Sequence, residues 1–440
     1  MKLNAKHFVG IAGIGAMLSF GGCSTDLGDT SSDDGNSGGG KIKVDRITFF
    51  GTEHRDFGYA GAVDKSGNLF VVGYTNGNVG GVNAGKNDAF LVKLDGDGNI
   101  LCKAQVGGNG DERGEGVAVD SAGNVYMALS IENSSAVESI NTPTYSHSAA
   151  VVKFDNQCNT VEIRMLNDDG INAEAYDVAV DSNDNVYVVG KSKGLLQQGH
   201  LELPQGGYDY FLTRLDTDLN IYWFEQYGSK GNDVARSIAL DEKHGALFIS
   251  GQIDKSITGI VNVHGYSDGM VARYDMKTGA RQWIKAIGTG GDSGGSDYAY
   301  SVAATSSGDV VVGFRDAGRA DGYVYYLNGT DGTTVWNRKV TGYSLPVVGV
   351  GTKDAIYVSQ NDYTSTDFIK KLNPENGEVV WDESFGPQGH LNYVSVHDIV
   401  FDSKTDWLYM IGATENNFRD PYAQKKGTSG AYDAFVFKFR

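Results

Sequence analysis

Asp95, Asp97 and Asn99, in the stretch LDGDGN, carry oxygen ligands at the one-three-five spacing that a hard cation such as calcium favours. A calcium loop of that kind also needs a glycine at its sixth position and a bidentate glutamate at its twelfth. Those positions hold Ile100 and Val106. Elsewhere in the chain the same slot reads LDTDLN, YDMKTG and LNPENG, which keeps turn formers and loses the ligands. The stretch therefore reads as the end of a strand followed by a tight turn.

Other reactive arrangements are scarce. No HExxH, HxH or GxxxxGK[ST] occurs, and the eight histidines are scattered. GDSGG at 291–295 has the letters of a serine-protease motif, but no His and Asp partners stand at a recognisable spacing. A carboxylate pair for glycoside chemistry stays an open alternative, because distant segments can assemble one and acids are too abundant to choose among.

The elements that must position any site follow from composition. The 440 residues include 61 glycines, six prolines, 40% hydrophobic and 11% aromatic side chains. This mixture suits many short strands joined by tight turns around a large core. The formal charge of -18 comes from 55 acidic and 37 basic residues with no basic stripe. That balance argues against nucleic acid as a partner and speaks chiefly to solubility. The three cysteines, Cys23, Cys102 and Cys158, include no CxxC pair, which excludes a zinc knuckle or a disulfide-framework domain. Cys102 and Cys158 fall in neighbouring repeat units and are a candidate pair in an oxidising compartment.

The N-terminal segment has its own logic. MKLNAKH carries two lysines, FVGIAGIGAML is an apolar run too short to span a bilayer, and SFGGC follows. This is the layout of a secretion signal. Its ending resembles a bacterial lipoprotein signal, in which small residues immediately precede an invariant cysteine. Gly21 and Gly22 precede Cys23 and Ser24 follows, with Phe20 where the family usually has leucine. The resemblance implies that residues 1–22 are a signal peptide and that Cys23 is the lipidation site. It also implies sorting to the outer membrane of a bacterial cell envelope, facing either side, since Ser24 is not the aspartate that favours inner-membrane retention. Several acyl chains at ~0.8 kcal/mol per buried CH₂ anchor stably where one is marginal. A secreted protein with a chance cysteine beside its cleavage site is the other reading. Residues 23–40 are acidic and rich in Gly, Ser and Asp, so they read as a flexible tether before a folded region over 41–440.

Within that region two motifs alternate. DAFLVKLD at 88–95 is echoed by SAAVVKFD at 148–155, YDYFLTRLD at 208–216 and SDGMVARYD at 267–275. Further copies are DGYVYYLN at 321–328, TDFIKKLN at 366–373 and DAFVFKF at 433–439, making seven. Between them a hairpin motif recurs seven times, as in GAVDKSGNLFVVG at 61–73, VAVDSAGNVYMAL at 117–129, VAVDSNDNVYVVG at 178–190 and IVFDSKTDWLYMIG at 399–412. β-Branched and aromatic residues suit the pleat, and Asn, Asp or Gly suits the turn. A fourth strand follows each DAFLVKLD-like copy, for example NIYWFEQYGS and ARQWIKAIGT. Each unit is then a four-stranded antiparallel meander, which must stack on neighbours to bury both faces.

The pattern resembles the bacterial beta-propeller repeat family, with its D-x-x-G-N-V-Y-V-x-G and D-A-F-[LV]-x-K-[LF]-D signatures. That resemblance implies an all-β fold, a seven-bladed β-propeller of four-stranded antiparallel blades. The seventh unit stops after its third strand, and VDRITFFGTEHRDF at 44–57 reads as an unattached fourth strand. An N-terminal strand is therefore expected to complete the last blade and pair two open edges. TGARQW, DGTTVW and NGEVVW resemble the tryptophan-docking repeats of quinoprotein dehydrogenases. That family implies a pyrroloquinoline quinone cofactor, usually eight blades and a vicinal cysteine pair; here there are three such stretches, seven units and no adjacent cysteines. The tryptophans are expected to pack between blades, and no cofactor or metal is assigned.

In a meander, the first-to-second and third-to-fourth turns share one face of the disc and are uniform here. The second-to-third and blade-to-blade connections share the other face and vary, as in SIENSSAVESINTPTYSHS. Recognition usually sits on variable loops of a rigid scaffold. The candidate ligand face therefore carries Tyr145, His147, His200, His264 and Arg319, with Glu112 and Arg113 at a blade junction. One acid also recurs in phase: Asp56, Glu112, Asp233 and Asp297 each precede the hairpin's turn position by eight residues. These read as structural carboxylates accepting backbone N–H groups, with a cation-binding ring as the alternative. The function expected is a lipid-anchored, non-catalytic binding module for an envelope protein or glycan. The runner-up is an enzyme, either polysaccharide-acting or a degenerate quinoprotein.

Overall fold

A computed structural model describes residues 44–132, 136–137, 140–141, 147–167, 171–196, 206–255, 257, 266–288, 295–342, 345–362, 368–384, 394–415 and 432–440. The strands form seven antiparallel four-stranded blades around a central channel. The innermost strands are Asp56–Val63, Asp111–Val119, Ala173–Val180, Val234–Asp241, Tyr298–Ala304, Leu345–Val350 and Val394–Asp402, which define blades 1 to 7. Each packs against the inner strand of the next blade, and the seventh returns to the first. Inner strands begin earlier than the hairpin motif suggested, at Asp56 rather than Gly61 and at Asp111 rather than Val117.

Closure follows the sequence expectation with a shorter strand. Val44–Phe50 pairs antiparallel with Asp433–Phe439, from Val44 opposite Phe439 to Phe50 opposite Ala434. Asp56 and Phe57, read from sequence as part of that strand's exit, instead open blade 1. Ile47 and Phe50 of the closing strand are buried, at 4% and 6% exposure. Phe50 meets the ring of Phe90 in blade 1, so the closing strand also stitches blade 7 to blade 1.

Blades are held to one another at three radii. Near the outside, the turn before each fourth strand docks on the preceding blade. Gly279, Gly332 and Gly377 adopt φ of 74°, 71° and 71°, and a Cβ there would come within 2.9, 3.0 and 2.6 Å of Trp223, Trp283 and Trp336. Trp283 and Trp336 donate their Nε1–H to the carbonyls of Gly329 and Pro374, at 2.9 and 2.8 Å. A disulfide occupies the same place between blades 1 and 2. Cys102 stands at the tryptophan position of its outer strand, and Cys158 at the left-handed turn position (φ 64°), with Cα atoms 5.9 Å apart.

At mid-radius the sheets bury their apolar faces on one another. Phe70 and Leu91 of blade 1 share a cluster with Met127 and Phe154 of blade 2, for instance. On the short-turn face, left-handed aspartates reach back to the preceding blade. Asp184 (φ 63°) accepts from Ser121 N and Oγ, both at 2.7 Å, and Asp354 (φ 59°) accepts from Ser306 N and Oγ at 2.7 and 2.8 Å. Aspartate tolerates this conformation better than most residues. The LDGDGN turn follows the same economy: Asp95 Oδ1 accepts from the N–H groups of Asp97 and Asn99, and Asn99 Nδ2 donates to Asp95 Oδ2.

Blade 6 departs from the rest. It contributes none of the large, fully buried aromatic side chains that the other six blades supply among the described residues. Its second strand also pairs briefly with the inner strand of blade 7, at Asn361–Ser395 and Asp362–Val394.

Closure makes a direct prediction. Deleting residues 41–50 should leave the protein insoluble or much less stable, and Ile47→Ala alone should cost about 2–5 kcal/mol. Thermal denaturation of the purified variants measures both. A deletion that melts like the full chain would show that the last blade does not need its N-terminal strand.

Candidate functional site

Six of the seven inner strands carry a β-bulge at the same level. The extra residues are Tyr59, Glu115, Tyr176, Arg236, Tyr300 and His397; blade 6 has none. A bulge puts one residue out of register and re-aims its side chain. The partner strand must make room. A Cβ on Gly73, Gly190, Gly251 or Gly412 would collide with the carbonyl oxygen of Phe57, Glu174, Val234 or Ser395 respectively. The glycine that ends the VVG motif is therefore the mark of the bulge. Blade 6, without a bulge, has Ser359 there. Blade 2 has Leu129, and its bulge lies instead between Gly114 and Gly116.

The bulged side chains meet across blades. Tyr59 lies edge-on to His397 of blade 7, with ring centres 4.9 Å apart, and to Tyr74 at 5.5 Å. The Arg236 guanidinium lies 5.1 Å from the centre of the Tyr176 ring, and Arg113 lies 5.4 Å from that of Tyr74. Glu174 is fully engaged: Lys191 Nζ lies 3.0 Å from its Oε1, His147 Nδ1 lies 3.4 Å from the same atom, and the Tyr176 hydroxyl donates to Oε2 at 2.6 Å. Burial pushes the Glu115 carboxyl up to about 7, against the opposing pull of Arg113 and Arg236. Burial likewise lowers His397 to about 4, leaving it a neutral ring whose Nε2 pairs with Ser395 Oγ at 3.0 Å.

One residue further along, a second ring latches the blades together. The N–H groups of Ile238 and Val178 donate to Asp177, at 2.9 and 2.8 Å, and those of Gly61 and Ile399 donate to Asp398, at the same distances. Ser301 Oγ does the equivalent between blades 5 and 6, accepting from Val348 N and donating to the Pro346 carbonyl. Among the described residues, no group of three or more His, Cys, Asp and Glu side chains is arranged to hold a metal ion.

The residues singled out from sequence separate clearly. Arg113 belongs to the channel constellation, and His147 touches its edge through Glu174. Glu112 does not face a ligand. It is fully buried, and its Oε2 accepts the Gly108 N–H at 2.8 Å, because neighbouring strand residues point to opposite sides. Asp56, Asp233 and Asp297 likewise accept N–H groups at blade junctions, from Thr52, from Ser229 and Asp254, and from Ala317. Arg319 stands apart on an exposed turn beside Asp316. Cys23, Tyr145, His200 and His264 lie outside the described residues. The sequence reading passed over Tyr59, Glu115, Tyr176, Arg236, Tyr300 and His397, although the VVG glycine signalled the strand distortion that exposes five of them.

The latch acids generate a pH prediction. Burial raises Asp177 to about 7 and Asp398 to about 6, only partly offset by the backbone N–H groups they accept. Both therefore bind a proton more tightly folded than unfolded. Their contribution is greatest at low pH and is lost as pH rises from about 4 through about 7. Urea denaturation at pH 4, 5.5 and 7 should show wild type losing stability relative to Asp177→Asn with Asp398→Asn over that window. A constant gap would mean that the two carboxyls titrate normally.

Residues 48–81 and 164–197 match the family described as beta-propeller repeat. A comparison with curated proteins gives no match. Among solved structures, a chain of a mitotic checkpoint complex superposes over 93% of this chain and 95% of its own, with a TM-score of 0.54 at 9% identity. BamB from Moraxella catarrhalis aligns over 91% of this chain and all of its own, with a TM-score of 0.43 at 13% identity. The first of these supports the fold alone. Two stretches of the chain thus match beta-propeller repeats, within a seven-bladed fold closed by its N-terminal strand.

Proposed function

We propose that the protein is a lipid-anchored propeller of the bacterial cell envelope. On this reading it binds an envelope protein or glycan at the long-loop end of its channel and performs no chemistry on it. The observation that carries the reading is a repeated backbone bearing unrepeated side chains. Six blades place a bulge at one level, yet fill it with three tyrosines, a glutamate, an arginine and a histidine. Residues that build blades recur as equivalent types, as the strand-two glycines do. Side chains that differ at equivalent positions are not needed by the architecture, and here they converge on the axis, where a concave site forms.

The anchor fits this orientation. Val44 lies opposite Phe439, at the short-turn end of blade 7, so the tether joins the propeller on that face. Residues 24–43, 20 in number, span about 25 Å as a flexible chain. An acylated Cys23 would then hold the short-turn face toward the membrane and leave the long-loop face turned away.

Two measurements test the reading. Cys23→Ser should move the protein from the membrane to the soluble fraction; retention of the variant in membranes would remove the anchor from the account. Arg236→Ala combined with Tyr300→Ala should weaken capture of the envelope ligand at least tenfold with unchanged melting, and the ligand should be recovered chemically intact. Full binding by that variant, or turnover of the ligand, would overturn the binding-module reading.

A further inference from the structure

The channel ring is electrostatically unlike the rest of the chain. The protein carries a formal charge of -18, yet two guanidinium groups stand among the bulged side chains. Lys191 is already matched by Glu174, which His147 also approaches. Arg113 and Arg236 both act on the Glu115 carboxyl, and Arg113 also lies in the field of Asp111. Among the described residues, neither arginine makes a hydrogen bond or meets a carboxylate within ion-pair distance. Each instead lies against a tyrosine ring, Arg113 on Tyr74 and Arg236 on Tyr176. A guanidinium held against a ring keeps N–H groups available, and that fork takes a carboxylate in two parallel hydrogen bonds. Glu115 does not cancel this charge fully, because burial keeps part of its population protonated near neutral pH.

The remaining walls suit a hydroxylated ring. Tyr59 and Tyr300 contribute both an aromatic face and a hydroxyl, and His397 closes the side next to Tyr59. Resting on the channel-binding reading above, we infer that the ring of bulges binds an acidic saccharide, with Arg113 and Arg236 holding its carboxylate and the tyrosines packing on its sugar ring.

Isothermal titration of the whole soluble chain (Cys23→Ser) tests this with oligosaccharides containing galacturonate, glucuronate or neuraminate. The controls are the corresponding methyl esters, a neutral maltotriose and trialanine, whose carboxylate is a peptide terminus. At least one acidic saccharide should bind, and its methyl ester should bind at least tenfold more weakly. Arg113→Gln and Arg236→Gln should each weaken binding at least tenfold, whereas Glu115→Gln should hold or strengthen it at pH 8. Melting curves check folding, and Arg236→Lys, which keeps the charge without the fork, should still lose affinity. If esters or maltotriose bind equally well and the channel variants abolish that binding, the channel reading stands and the acidic class is wrong. Preference for trialanine would equally overturn the saccharide. If no acidic saccharide binds, or if binding ignores both arginines, the inference fails.

Discussion

The channel of this propeller depends on one extra residue in its innermost strands. Inner strands converge on the axis, where a regular pleat would turn alternate side chains back into the blades. The bulge at Tyr59, Glu115, Tyr176, Arg236, Tyr300 and His397 breaks that alternation at one level and commits a side chain to the axis. It is tolerated because the neighbouring strand has given up a side chain: at Gly73, Gly190, Gly251 and Gly412 the displaced carbonyl occupies the space of a Cβ. The latch at Asp177 and Asp398 follows by register, since the residue after the bulge is brought against the next blade's backbone. A ring of varied side chains and a blade-to-blade bond thus arise from the same irregularity.

That coupling explains which parts of the protein were legible in the sequence. The repeated strands and turns announce themselves through β-branched residues and Asp, Asn and Gly at fixed offsets, so blade number and closure could be read directly. The bulged residues lie just before the recurrent hairpin motif, where only AYDVA at 175–179 and AYSVA at 299–303 resemble each other, and stretches such as RGEG and EAYD look like connections. Arg113 was selected as a junction residue and proved to be a channel residue; Glu112 was selected with it and proved to be buried in the junction. One position along a strand reverses the face, and the sequence offered no register by which to choose between them.

The outer rim shows how repeats substitute one bond for another. Trp223, Trp283 and Trp336 each pack on a left-handed glycine of the next blade, a contact that combines ring burial with, in two cases, an indole hydrogen bond. Between blades 1 and 2 neither a tryptophan nor a glycine is present, and Cys102 and Cys158 stand in their places. The pairing was thus recoverable in principle by aligning the repeats: ILC over IYW, and NQC over the glycine of MKTG. A covalent link between the first two blades fits an oxidising compartment.

Net charge, by contrast, says little about what the channel prefers. Many acids are consumed locally. Asp95, Asp155 and Asp216 each accept two backbone N–H groups within their own turns, and Asp120 and Asp181 do the same in the hairpin turns. For Asp155 those bonds, led by Asn159, hold the carboxyl below the usual range. Asp95, Asp155 and Asp216 are partly exposed on the short-turn side, where charges are screened over about 8 Å at physiological ionic strength, whereas Asp120 and Asp181 are buried in their turns. Arg113 and Arg236 sit in a protein-lined ring where screening is weaker, and the neighbouring Glu115 carboxyl is raised by burial, so the net charge of the chain does not set the local field there. A strongly acidic protein can therefore present a cationic site, because its acids are tied up in turns while its arginines lie where the repeat leaves side chains free to vary.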